Sequence, residues 1–127
     1  PFALPRTDQA VATLLEDLRT RELLDSTLVV LVGEFGRTPV IRKGARRIGR
    51  DHWPQCYSAM LAGAGIRGGT VYGESDKRAG YVKTNPVTLE DFSATLFAAM
   101  GINPASRLSR DGFTDPASSG NAIEALL

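Results

Sequence analysis

Residues 27–54 read TLVVLVGEFGRTPVIRKGARRIGRDHWP, an apolar run that stops at a glycine and gives way to charge. Thr27–Gly33 has no alternation of polar residues, which predicts a strand buried on both faces, as in a parallel sheet covered by helices. Glu34, Arg37 and Thr38 follow, then Arg50, Asp51 and His52, the chain's single histidine. Acid, base and imidazole at the C-terminal end of a strand is where ligands bind in an open α/β sheet. Residues 34–55 are expected to form one long loop, and loops beyond about 12–15 residues in a compact domain usually carry function. Its basic run, 40–49, reads as the mobile part, and GRDHWP as the part anchored by Trp53 and Pro54.

Two readings of the cluster stand side by side. If the loop folds back, Glu34 and His52 meet, which suits a divalent metal or a general acid–base pair, with Asp51 as a further ligand or an orienting partner. Otherwise Glu34 and Arg37 form a surface ion pair and His52 packs beside Trp53, the commoner fate of such residue types. The glycines add weight to the first. Gly33 and Gly36 bracket Glu34 directly after the strand, a turn that lets backbone approach a ligand closely. Arg37 and Arg50 then offer paired donors to a tetrahedral anion. Arg42, Lys43, Arg46 and Arg47 read as a solvated loop. A nucleic-acid module built on residues 42–50 would want aromatic residues interleaved among the basic ones, and that segment has none.

Upstream, a proline-bounded lead-in (1–6) precedes a helix that Thr7 or Asp8 can cap, with Ala10, Val11, Leu14, Leu15 and Leu18 in one apolar stripe. Downstream, 56–62 is a second candidate strand. Gly63, Gly65 and Gly68 spell G-x-G-x-x-G, but TVYG (70–73) follows and reads as strand rather than helix. The dinucleotide reading is therefore rejected, and these glycines are assigned to a tight connection between strands. Residues 74–87 read as loop. Thr88-Leu89-Glu90-Asp91 opens the clearest helix, with Thr88 capping Asp91 and Gly101 ending it. Residues 103–120 read as an irregular tail, and AIEALL as one closing turn.

Composition sets the outer bounds. At 127 residues the chain is one small domain, with 43% hydrophobic and 23% charged residues, ordinary for a globular protein. Lys plus Arg (15) against Asp plus Glu (14) leaves +1, so no global field selects nucleic acid or an anionic membrane as partner. One cysteine excludes an internal disulfide and a thiolate zinc site. No apolar run approaches the roughly 20 residues of a membrane-spanning helix. The chain begins with Pro1 directly ahead of a helix, and the expectation is a C-terminal portion of a larger protein.

RTRELLDSTLVVLVGEFGRTP (19–39), GRDHWP (49–54), AMLAGAGIRGGTVYG (59–73) and PVTLEDFSATLFAAMGI (86–102) together resemble the C-terminal part of the family called domain of unknown function 1501, grouped with sulfatase-like and alkaline-phosphatase-like proteins. The resemblance implies an α/β layered fold with a mostly parallel sheet flanked by helices. It also implies a metal-dependent hydrolase of small sulfate or phosphate esters, in an exported bacterial protein. By position, Glu34-Phe35-Gly36 resembles the superfamily's metal-binding Asp-His-Gly turn, and His52 its later histidine ligand. Zinc, calcium or manganese would then sit on Glu34, Asp51 and His52, with the anion on Arg37 and Arg50. Phe35 supplies no donor, so one usual ligand is missing. The nucleophile lies in a region this chain lacks, so no catalytic residue is assigned. Cys56 is not a formylglycine precursor, because the required Pro and Arg positions hold Ser58 and Met60. The alternative is a non-catalytic scaffold that kept the fold and lost a ligand. A sheet cut from a larger one would also expose an edge, through which the chain is expected to self-associate.

Overall fold

The computed structural model describes residues 3–44, 48–107 and 115–127. Helix α1 spans Ala3–Thr20. It starts within the expected lead-in, because Pro5 falls in the first turn, where the missing N–H has no intrahelical acceptor to lose. Thr7 and Asp8 are thus inside the helix rather than capping it. Glu16–Arg19 and Asp17–Arg21 pair along its exposed face at 3.0 and 2.9 Å, each acid preceding its base as the helix favours. The helix closes without glycine. Leu23 N–H donates to Leu18 O (2.8 Å) and Glu22 N–H to Arg19 O (3.0 Å), with Glu22 at φ 59°. That is the bonding of a Schellman cap with a glutamate in the left-handed position.

A 3-10 turn (Leu24–Ser26) leads into β1, Val29–Val32. β1 pairs antiparallel with β6, Ala59–Ala62. Between them lie two more antiparallel pairs, β2 (Gly36–Arg37) with β5 (His52–Trp53) and β3 (Arg42–Lys43) with β4 (Ile48–Gly49). The three pairs are nested. Residues 33–35 face 54–58, then 38–41 face 50–51, so the first mismatch is undone by the second and β3–β4 returns to the register of β1–β6. The expected long loop is one interrupted antiparallel ribbon.

This overturns the fold expectation. Among the described residues every strand pair is antiparallel and every sheet two-stranded, not a mostly parallel sheet flanked by helices. The chain is mixed α and β, but the apolar run Leu28–Val32 finds its partner by turning back on itself rather than through a helical crossover. TVYG forms no strand. The expected 74–87 loop instead holds a hairpin, β7 (Glu74–Ser75) with β8 (Val82–Thr84). Asp76 organises its turn by accepting the N–H groups of Arg78, Gly80 and Tyr81 at 2.8, 3.0 and 3.1 Å. Those bonds, Gly80's and Arg78's foremost, hold the Asp76 carboxyl below its ordinary range.

Helix α2, Leu89–Ala99, forms as its sequence dictates. Thr88 Oγ1 accepts Asp91 N–H at 3.0 Å, and Glu90 and Asp91 sit at the positive end of the helix dipole. Gly101, at φ 74°, closes it: Ile102 N–H reaches Phe97 O and Gly101 N–H reaches Ala98 O, both at 2.9 Å. The C-terminal residues strap across this helix. Ser118 Oγ donates to Glu90 O (2.7 Å), Asn121 N–H to Asp91 Oδ1 (2.8 Å) and Ile123 N–H to Thr95 Oγ1 (3.0 Å). Ala94, Thr95 and Ile123 are buried there and, with Gly80, are the buried residues among those described. A second 3-10 turn, Glu124–Leu126, ends the chain, and Arg67 N–H donates to Leu126 O. No helix among the described residues is long and apolar enough to cross a membrane.

Candidate functional site

The β2–β5 pair sorts the polar cluster onto two faces. Directly opposed residues of an antiparallel pair share a face, and neighbours along a strand alternate. Gly36 therefore shares one face with Trp53, and Arg37 shares the other with His52. The Trp53 face is structural. Its Nε1–H donates to Gly80 O at 2.5 Å, and its ring meets Tyr81 edge-on at 5.6 Å, fixing the ribbon to the β7–β8 hairpin. Gly36 is needed on this face because a Cβ there would overlap the Cys56 carbonyl oxygen.

The Arg37 face holds two of the candidate residues, Arg37 and His52. The His52 imidazole stacks on Phe35 with centroids 3.8 Å apart and planes inclined 27°. The Arg37 guanidinium carbon lies 5.6 Å from the same ring's centre. Phe35 is therefore the shared support of an imidazole and a guanidinium, a role that sequence reading did not give it. Beside them, Thr38 N–H donates to Asp51 O (3.0 Å) and Asp51 N–H to Thr38 Oγ1 (3.1 Å), which extends the pairing by one residue.

The candidate ligands are distributed unevenly. Glu34 is exposed at the bend between β1 and β2. It forms no ion pair with Arg37, and His52 packs on Phe35 rather than Trp53. Asp51 Oδ2 is held by Arg42 Nη2 at 2.6 Å, an exposed pair across the ribbon. Arg50 is exposed and has no ion pair among the described residues. Arg46 and Arg47, central to the nucleic-acid reading, lie outside the described residues. No group of three or more His, Cys, Asp or Glu side chains among the described residues is arranged to hold a metal ion. The donors present therefore do not by themselves fit the metal that the family resemblance implies. Two open depressions, of about 430 and 370 Å³, are lined by α2, the tail and the 72–86 connection, with no ribbon residue.

Residue types pointed to Arg37 and His52, but nothing in the sequence placed them opposite each other. Strand pairs two residues long leave no periodicity to detect. The Arg42–Asp51 pair was missed for the same reason. A family model described as Protein of unknown function (DUF1501) matches residues 2–127. The chain belongs to the DUF1501 family. No curated protein and no solved structure matched the chain. In this DUF1501 chain the match runs through the ribbon, both helices and the tail, so Arg37 and His52 lie within the matched residues.

Proposed function

We propose that this chain forms the anion-binding edge of a sulfatase-like, metal-dependent hydrolase of sulfate or phosphate esters. One observation carries the reading: Arg37 and His52 oppose each other on one ribbon face, both supported by Phe35. A guanidinium presents paired donors that match two oxygens of a tetrahedral anion. Arg50, two residues from His52 on the returning strand, adds a second positive charge near the same end. The imidazole can hold a proton, give one up or, when neutral, ligate a metal. Glu34 and His52 are the candidate ligands for zinc, calcium or manganese. Arg42 engages Asp51 through Oδ2, which leaves Oδ1 as the oxygen Asp51 offers a metal. A tetrahedral site takes four donors, so others must come from outside the described residues. When bound, such an ion would polarise the ester oxygen.

Sulfate and phosphate titrations into the chain test the anion site. Arg37→Ala is expected to weaken binding about tenfold, the loss of roughly one charge-assisted hydrogen-bonded contact. Metal content and ester hydrolysis, measured on the protein expressed from its intact reading frame, test the ligands. His52→Ala should lower both, and an unchanged metal load would remove His52 from the ligand set.

A second reading, a non-catalytic scaffold, is favoured by two observations. An aromatic ring occupies the middle of the Glu34-Phe35-Gly36 turn, and Asp51 is engaged by Arg42. It predicts no bound divalent metal in the intact protein and unchanged stability after Glu34→Gln.

A further inference from the structure

The β2–β5 pair is two residues long, with Thr38 and Asp51 extending it by one. Unequal segments flank it, 33–35 against 54–58 and 38–41 against 50–51, so its neighbours in the ribbon constrain its register weakly. Two-stranded pairs are marginal without further packing, and a slip of one residue would turn His52 to the other face and part it from Arg37. The further packing comes from Gly80, in the turn of the β7–β8 hairpin. Its carbonyl oxygen accepts the Trp53 Nε1–H at 2.5 Å, and Trp53 is next to His52 on β5. Pro39, two residues beyond Arg37, packs on the same glycine: a Cβ on Gly80 would lie 3.1 Å from Pro39 Cγ. One buried residue therefore touches the returning strand through Trp53 and the segment after β2 through Pro39.

Gly80 is held in turn by Asp76. The Gly80 N–H donates to Asp76 Oδ1 at 3.0 Å, beside the Arg78 N–H at 2.8 Å, and the Tyr81 N–H donates to Oδ2 at 3.1 Å. Asp76 N–H closes the turn on Tyr81 O at 2.9 Å. Bonds to a carboxylate are stronger than those between neutral groups, so this one side chain sets where the Gly80 carbonyl points. We propose that Asp76 is a positioning residue for the Arg37–His52 face: through Gly80 it seats Trp53 and Pro39, which hold β5 and β2 in the register that keeps guanidinium and imidazole together. The proposal rests on the anion-binding reading of that face. Without Asp76, other placements of β5 share the population, and apparent affinity for an anion falls with the competent fraction. Loss of a negative charge would by itself strengthen anion binding. Positioning and simple electrostatics thus predict opposite signs.

Inorganic sulfate titrated into the chain, followed by NMR of the His52 ring protons, tests this. Asp76→Ala is expected to weaken sulfate binding about fivefold, as the competent register falls to about one-fifth of the molecules. The His52 ring protons should move toward free-imidazole positions, and saturating sulfate should bring them back, because binding selects the competent register. The Asn121 and Ile123 amides, in the strap over α2, should not move, which separates misplacement from unfolding. Trp53→Phe keeps a ring against Tyr81 but removes the donor to Gly80, and should reproduce both effects. Asp76→Asn retains one acceptor oxygen and should recover part of the affinity. Sulfate binding as tight as or tighter than in the unmodified chain, or His52 shifts unmoved in Asp76→Ala and Trp53→Phe, would overturn the proposal. If the unmodified chain binds no sulfate, the anion-binding reading fails, and the His52 shifts decide the positioning: displaced in both variants they support it, unmoved they remove it. If Asp76→Ala does not fold, Trp53→Phe decides on the same readouts.

Discussion

Phe35 supports both charged groups of the candidate site, and its removal should act on both. A stacked aromatic pair contributes about 0.5–1.5 kcal/mol and an exposed cation–π contact about 0.5–1 kcal/mol. Phe35→Ala is therefore expected to destabilise the ribbon by about 1–2 kcal/mol, read from Trp53 fluorescence during urea unfolding. The His52 ring protons should move toward free-imidazole shifts in the same variant, and unchanged shifts would show that the rings do not stack in solution. Residue types singled out Glu34, Arg37, Arg50, Asp51 and His52, because carboxylate, guanidinium and imidazole are the groups that carry such chemistry. They did not reveal that Asp51 is tied to Arg42 while His52 rests on Phe35. That difference depends on strand register, which residue identity does not encode.

At the scale of elements, legibility follows the length of the repeating signal. α2 was readable end to end: Thr88 caps, the acids follow, and Gly101 takes the left-handed position. The apolar stripe of α1 was readable too, but its first turn was hidden by Pro5, a residue that breaks helices everywhere except at their start. Its last turn offers a test. Glu22 holds a left-handed φ of 59° at the cap, a conformation that costs a non-glycine residue about 1 kcal/mol. Glu22→Gly should raise stability by up to about that amount in thermal or urea unfolding, whereas Glu22→Val should lower it.

The strap over α2 makes a second test at this scale, through pH. The Asn121 amide, with Thr88, holds the Asp91 carboxyl below its ordinary range. A depressed folded value means that the strap's contribution is complete above the ordinary carboxylate pKa of about 3.9 and is lost as pH falls through the lower folded value. Asn121 and Ile123 amide shifts should hold steady down to about pH 4 and move toward unfolded positions below it. Asp91→Asn should remove most of that acid dependence.

For the whole molecule, the continuous apolarity of Leu28–Val32 was a correct sign of a strand and a misleading sign of its surroundings. Such a run signals burial on both faces, and the inference to a parallel sheet assumed that this chain supplies the covering layers. Among the described residues it does not: β1 has one antiparallel neighbour, and Val30, Leu31 and Val32 remain exposed. The consequence is measurable. An unfolded chain of 13.6 kDa exposes about 20,000 Å², so folding to 10004 Å² hides about half of it, where an ordinary monomer of this size hides about two-thirds. The slope of unfolding free energy against urea scales with the surface exposed on unfolding. At concentrations where the chain is monomeric, that slope should be about three-quarters of the value usual for this mass. It should rise toward the usual value once β1 is covered. A full-sized slope in the dilute monomer would mean that the apolar faces of β1 and α1 are already packed within a single chain, and the open architecture would have to be abandoned.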